Sequence, residues 1–102
     1  MKYEVLIQPS AEAELEAAYL HLCQEASQDV AAEWFDSVVD AILTLEEMPH
    51  RCPLAPESEF FEEEVRHLLL RPYRVIFTIR GVYVHIVHVR HMSQQSLKSP
   101  ER

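Results

Sequence analysis

Residues 72–89, Pro72-Tyr73-Arg74-Val75-Ile76-Phe77-Thr78-Ile79-Arg80-Gly81-Val82-Tyr83-Val84-His85-Ile86-Val87-His88-Val89, decide how this chain folds. Tyr73, Val75, Phe77 and Ile79 alternate with Arg74, Ile76, Thr78 and Arg80. That period of two belongs to a strand, because successive side chains leave a pleated backbone on opposite faces. Val82–Val89 is rich in β-branched residues and reads as a second strand. Between them stands Gly81, the only glycine in the chain. A tight hairpin needs a residue there that accepts positive φ at no steric cost.

Working outward, Val65–Leu70 reads as a further strand and residues 2–8 as the first one, ended by Pro9-Ser10. Leu15, Ala18, Tyr19 and Leu22 follow at helical spacing, with Ser10 as N-cap and Glu12 and Glu14 at the positive end of the dipole. This helix is expected to reach about Glu25. Ser27 and Asp29 open a second helix, whose stripe runs Val30, Trp34, Val38, Ile42, Leu45 and is widened by Ala31, Phe35 and Val39. Pro49 stops it. The short link between the helices predicts an antiparallel hairpin. Residues 49–64, with Pro49, Pro53, Pro56 and the run Glu62-Glu63-Glu64, form a connector.

The element order is therefore β-α-α-β-β-β. The expected fold class is α+β: an antiparallel sheet with the helical hairpin packed on one face and the other face free. Its 102 residues make one domain, expected over 1–92, with 93–102 a polar C-terminal tail. No apolar run approaches the roughly 18 residues that span a bilayer. The first residues lack a secretory signal, so a cytoplasmic protein without membrane contact is expected. Cys23 and Cys52 form no metal or redox motif and are expected as reduced thiols.

Charge is segregated along the chain, whose formal net charge is −8. Residues 1–64 carry sixteen acids and two bases, and residues 65–102 carry seven bases and one acid. An acidic side and a basic side are expected.

Several segments, taken in order, resemble the RelE/ParE toxin superfamily. Val5-Leu6-Ile7-Gln8-Pro9-Ser10-Ala11 is similar to its strand-then-helix start, and Met48-Pro49-His50-Arg51-Cys52-Pro53 to its helix-ending turn. Arg66-His67-Leu68 resembles its Leu-Arg-x-Leu strand. Pro72-Tyr73-Arg74-Val75-Ile76-Phe77 resembles its Tyr-Arg-[Ile/Val] strand, and Val87-His88-Val89-Arg90-His91 its last strand. The resemblance implies the toxin of a type II toxin–antitoxin module, of the kind known from plasmid stabilisation, held inactive by a cognate antitoxin. It implies one of two targets: DNA gyrase for ParE-type members, or the ribosome and its mRNA for RelE-type endoribonucleases. A degenerate member would retain antitoxin binding alone. Glu62-Glu63-Glu64 and Met92-Ser93-Gln94 stand where ribonuclease members carry bases, which tilts the reading to ParE.

A metal-independent ribonuclease would need a cation for the phosphorane-like charge and an acid or base. Arg74, Arg66 and His91 are the candidates: Arg74 for the charge, Arg66 to position a phosphate, His91 for proton transfer. No cofactor or metal is expected. His85, His88 and His91 are spaced by threes, so alternation along a strand would set 85 and 91 on one face and 88 on the other. His50 and Arg51 beside Cys52 could lower its thiol pKa, and Trp34 is expected in the core. The antitoxin is expected to fill a groove over the helix pair and the sheet edge, and to be acidic in part if it covers residues 65–92.

Overall fold

The structure is a computed structural model that describes residues 2–93. The expected tail lies, from Gln94 onward, outside the described residues. The elements are β1 (Glu4–Ile7), α1 (Pro9–Glu25), α2 (Gln28–Leu43), β2 (Arg66–Leu70), β3 (Tyr73–Arg80) and β4 (Tyr83–His91). Three short 3₁₀ turns, Thr44–Glu46, Pro49–Arg51 and Pro56–Phe60, lie between α2 and β2. The expected α+β order holds.

Helix α2 starts where the sequence placed it: Ser27 is the N-cap and its Oγ accepts from the Val30 N–H at 3.1 Å. Helix α1 starts one residue earlier than its supposed cap. Pro9 occupies the first turn, where its missing N–H costs nothing, and Gln8 is the N-cap. Ser10 is thereby freed for another task, donating its hydroxyl to the Val87 carbonyl at 2.7 Å. At the far end of α2, Arg51 donates to the Glu47 carbonyl at 2.9 Å and to Thr44 Oγ1 at 2.9 Å. A guanidinium at a helix C-terminus meets orphan carbonyls and the negative end of the dipole.

The sheet order is β1-β4-β3-β2. β2, β3 and β4 are antiparallel neighbours, but β1 runs parallel to β4, so the sheet is mixed rather than wholly antiparallel. Connectivity explains this: β1 and β4 are distant in sequence and no hairpin constrains their direction. Gly81 turns the β3–β4 hairpin at φ +62°, as its position required.

Val75, Phe77, Val84, Ile86 and Val89 face the helices, where Ala11, Leu15, Val38 and Ile42 close the core. The partly buried Trp34 packs against this core, as its place in the α2 stripe indicated. A bulge interrupts the β3–β4 ladder. Ile76 pairs with His88 and Phe77 with Ile86, leaving Val87 as the extra residue. One inserted residue reverses the alternation beyond it.

Beyond Ile86, β4 remains paired with β3 but has no strand on its other side, because β1 ends there. Its edge is instead met by α1 side chains. Ser10 bonds the Val87 carbonyl, and Glu14 Oε1 accepts from the Val89 N–H at 2.9 Å and contacts His88 Nδ1 at 3.2 Å. Glu14→Ala removes an acceptor from a strand N–H and should cost about 1 kcal/mol. Urea unfolding of the variant and the parent checks the value.

Candidate functional site

The face of the sheet turned away from the helices was expected to be free. It is covered in large part by residues 55–65. Directly opposed residues in an antiparallel pair share a face, so this outer face carries His67, Leu69, Arg74, Ile76, Thr78, Arg90 and His88. Ala55, Val65 and Ile76 form a second small core there, joined by Phe61 and Val87. The Ala55 N–H bonds the Val65 carbonyl at 2.7 Å, and Ser58 Oγ accepts from the Val65 N–H at 3.0 Å.

Two acids of this connector meet two arginines of β3. Glu57 is fully buried and pairs with Arg74 through both guanidinium nitrogens, one of them at 3.1 Å. Glu63 and Arg80 make a second, exposed fork, with Nε to Oε1 at 3.0 Å and Nη2 to Oε2 at 2.6 Å. Arg80, by its hydrogen bond, holds the Glu63 carboxyl below its usual pKa. The basic second half of the chain is thus largely interleaved with acids of the first half, rather than laid out as a separate basic side.

The three candidate ribonuclease residues do not converge on one open surface. Arg74 is 9% exposed and locked to Glu57. Arg66 pairs with Phe77 across the ladder, which turns it to the helix side. There it donates to the Cys52 carbonyl at 2.7 Å and to Glu64 at 3.0 Å, tying down the connector. His91 pairs with Tyr73, with ring centroids 5.2 Å apart, and its Nδ1 accepts from the Ser93 N–H at 3.0 Å. Tyr73 in turn packs against Trp34, so His91 belongs to an aromatic cluster on the helix side.

The bulge at Val87 also corrects the reading of the histidines. His85 and His88 share the outer face, and His91 turns the other way. His85 contacts Gln8 Nε2 at 3.2 Å and His88 contacts Glu14. Among the described residues no cluster of three His, Cys, Asp or Glu could hold a metal ion. Burial pushes the Cys52 thiol pKa up, against the lowering pull of Arg51 and Arg66. A protonated, buried thiol is no nucleophile.

A second feature lies between α1 and α2. It is an open groove of about 570 Å³ with Leu15, Tyr19, Phe35 and Val39 in its walls and Ile7 at one end. Tyr19 and Phe35 meet edge to face, 5.9 Å between centroids. Glu12, Glu16 and Asp36 line it as well. The helical periodicity indicated a joint between the helices but could not show that this joint stays partly open.

A family model described as the ParE toxin of the type II toxin–antitoxin system parDE matches residues 5–96. The chain belongs to the ParE toxin family. The match takes in every strand and helix of the fold from Val5 onward. A solved structure of the chromosomal ParDE toxin–antitoxin system from P. aeruginosa aligns with a TM-score of 0.75 at 21% identity. The alignment covers 88% of this chain and 96% of that one. It shows that the two share a fold. No curated protein sequence matches the chain. Among the described residues of this ParE-family toxin, no helix is long and apolar enough to cross a membrane.

Two measurements probe the buried pair. Glu57→Ala leaves the Arg74 guanidinium buried without its carboxylate and should cost about 3–5 kcal/mol. The double variant Glu57→Leu with Arg74→Met should fall within about 2 kcal/mol of the parent, since an apolar pair of similar size needs no compensation. Chemical denaturation of the three proteins decides.

His67 supplies a pH test. Its Nδ1 lies 3.0 Å from Arg74 Nη1, and arginine only donates, so the ring must accept there in its neutral form. Burial, helped by the Arg74 charge, lowers its pKa below the ordinary 6.5, against the opposing pull of Glu57. As pH falls past about 6.5 the unfolded chain takes up this proton before the folded one does. This contribution to stability is therefore constant above that pH and is lost progressively below it. His67→Gln keeps an acceptor without the titration, and should flatten the fall in unfolding free energy as the pH drops below about 6.5.

Proposed function

We propose that this chain is a cytoplasmic toxin that acts by binding DNA gyrase and is neutralised by a cognate antitoxin encoded beside it. Membership of the ParE family supports the module and the target class. The observation that carries the choice between binding and cleavage is the sequestration of Arg74. A ribonuclease of the RelE type needs free cations beside an acid or base to stabilise charge developing on phosphate. Here the best-placed guanidinium already has a carboxylate ligand from its own chain. Arg66 is spent on the connector, and His91 stands on the helix side of the sheet. The acidic helical half would also oppose unaided contact with RNA, because phosphate contacts dominate such affinity. These pairings give the three residues structural work, which supports recognition of a protein target as the activity.

Induced expression in a bacterium, read within minutes for translation and replication separately, tests the proposal. A replication block with DNA double-strand breaks and intact mRNA is expected, and His91→Ala should arrest growth as the parent does. Cuts in mRNA at the ribosomal A site, lost in His91→Ala, would overturn it.

A further inference from the structure

We propose that the cavity between the connector and the outer face of the sheet binds a small neutral molecule, a hydroxyl on a compact apolar body, anchored by a hydrogen bond to Thr78. This is a property of the sheet and connector, separate from the choice of toxin target.

The cavity measures about 200 Å³. Its floor is formed by Ile76 and Thr78 of β3 with Val87 of β4, and its roof by Phe61 and Val65 of the connector. A bulge bends its strand, and Val87, the bulged residue, lies where the connector stands off the sheet. Thr78 is 4% exposed, and its Oγ1 is buried with no hydrogen-bond partner among the described residues. A hydroxyl so placed has given up water and gained nothing in return. The charged groups of the lining are not in that condition. Glu57 holds Arg74, Glu63 holds Arg80 at the exposed end, and His88 contacts Glu14. Among the described residues, Thr78 is therefore the buried lining group whose side chain is left unmet.

The chemistry of the guest follows from these walls. Both lining carboxylates are already paired with arginine, so an ion would lose its hydration and find no counter-charge. That disfavours phosphates, carboxylates and ammonium groups alike. A wholly apolar guest would leave Thr78 unmet. Phe61, Val65, Ile76 and Val87 suit a compact hydrocarbon body beside the hydroxyl. At a share of about 30 Å³ per molecule in liquid water, the space takes about six or seven such units, the size of a single ring. It is smaller than the roughly 300–1,000 Å³ of pockets for larger ligands. Entry lies at the exposed Glu63–Arg80 fork, which can part without breaking a buried contact. Water alone can also fill a polar space of this size, so a guest has to be told apart from water.

Phenol is the probe, with toluene as its equal in shape lacking the hydroxyl. Titration into the full chain, followed by amide NMR, should show saturable binding of phenol with a Kd of about 1 mM or tighter. The shifts should centre on residues 57–65 and 76–88. Toluene should bind at least about fivefold more weakly, the loss expected for one buried hydrogen bond. Thr78→Val keeps the β-branched shape, and should weaken phenol by the same factor without weakening toluene. Val87→Phe, at a half-buried position, fills the space and should abolish binding of both. Unchanged phenol affinity in Thr78→Val overturns the proposal, as does equal affinity of the parent for phenol and toluene. Absence of saturable binding by the folded parent means a cavity that takes water only, and overturns it too. So do shifts centred on the groove between α1 and α2. If Thr78→Val fails to fold, Val87→Phe decides, since phenol binding retained there places the guest outside the cavity and overturns the proposal.

Discussion

The buried pair of Arg74 and Glu57 answers the constraint that shapes the rest of this molecule. The four-stranded sheet has two faces, and the described residues hold one pair of α-helices to cover them. Ile76 at the centre of β3 is 1% exposed on the face the helices do not reach. Something must shield it, and among the described residues the connector between α2 and β2 is the only long segment between elements. That connector is rich in acids and cannot bury itself on apolar surface alone. Placing Arg74 beside Ile76 supplies a counter-charge at the point where the connector crosses the sheet. A buried ion pair adds little net stability over an apolar pair of the same size, but it is costly to break or to mismatch. Its effect is to fix one placement of the connector. Arg74 also stands directly opposite Arg90 on β4, and like charges so placed are unfavourable without a carboxylate nearby.

The clamp extends to both ends of the connector. Arg66 gathers the Cys52 carbonyl and Glu64 at the β2 edge, and Arg80 holds Glu63 near the hairpin turn. The Leu54–Arg66 bridge and the His67 N–H to Pro53 carbonyl bond add a short stretch of pairing along β2. An exposed strand edge invites association with other chains. In this protein, the connector meets part of β2 and α1 side chains meet the end of β4. The charge asymmetry of the sequence is thereby turned inward: bases of the sheet are neutralised by acids that precede them in the chain, and the surplus acid remains on the helices.

Much of this was legible in the sequence, for reasons that can be named. The period of two through Tyr73–Arg80, the single glycine at the hairpin and the threes and fours from Val30 to Leu45 are local signals, and local signals fix elements. The parallel placement of β1 beside β4 has no local signal, since it follows from packing between segments far apart in the chain. The bulge at Val87 is equally silent, and it alone decides that His91 turns toward Tyr73 while His85 and His88 share a face. The partner of Arg74 was open for the same reason. Strand parity showed that Arg74 leaves the core-facing side, but whether a carboxylate waits there depends on the path of an irregular connector. Ser10 carried a fair N-cap signal and lost that role because Pro9 extends the helix backward by one residue.

Family membership and the local chemistry constrain function at different levels. The match over residues 5–96 places the chain among ParE toxins, and the fold shared with a ParDE structure agrees. A fold hosts many activities, however, and activity has to be argued from side chains. The same Tyr-Arg strand that carries the resemblance illustrates this. An arginine at that position can serve a phosphate only if it is not already neutralised. Here Arg74 is paired with Glu57, and that pairing leaves the strand, its register and the family to which the chain belongs unchanged. On the helix layer, apolar walls and the exposed acids Glu12, Glu16 and Asp36 stand together between α1 and α2, and among the described residues these acids make no ion pair.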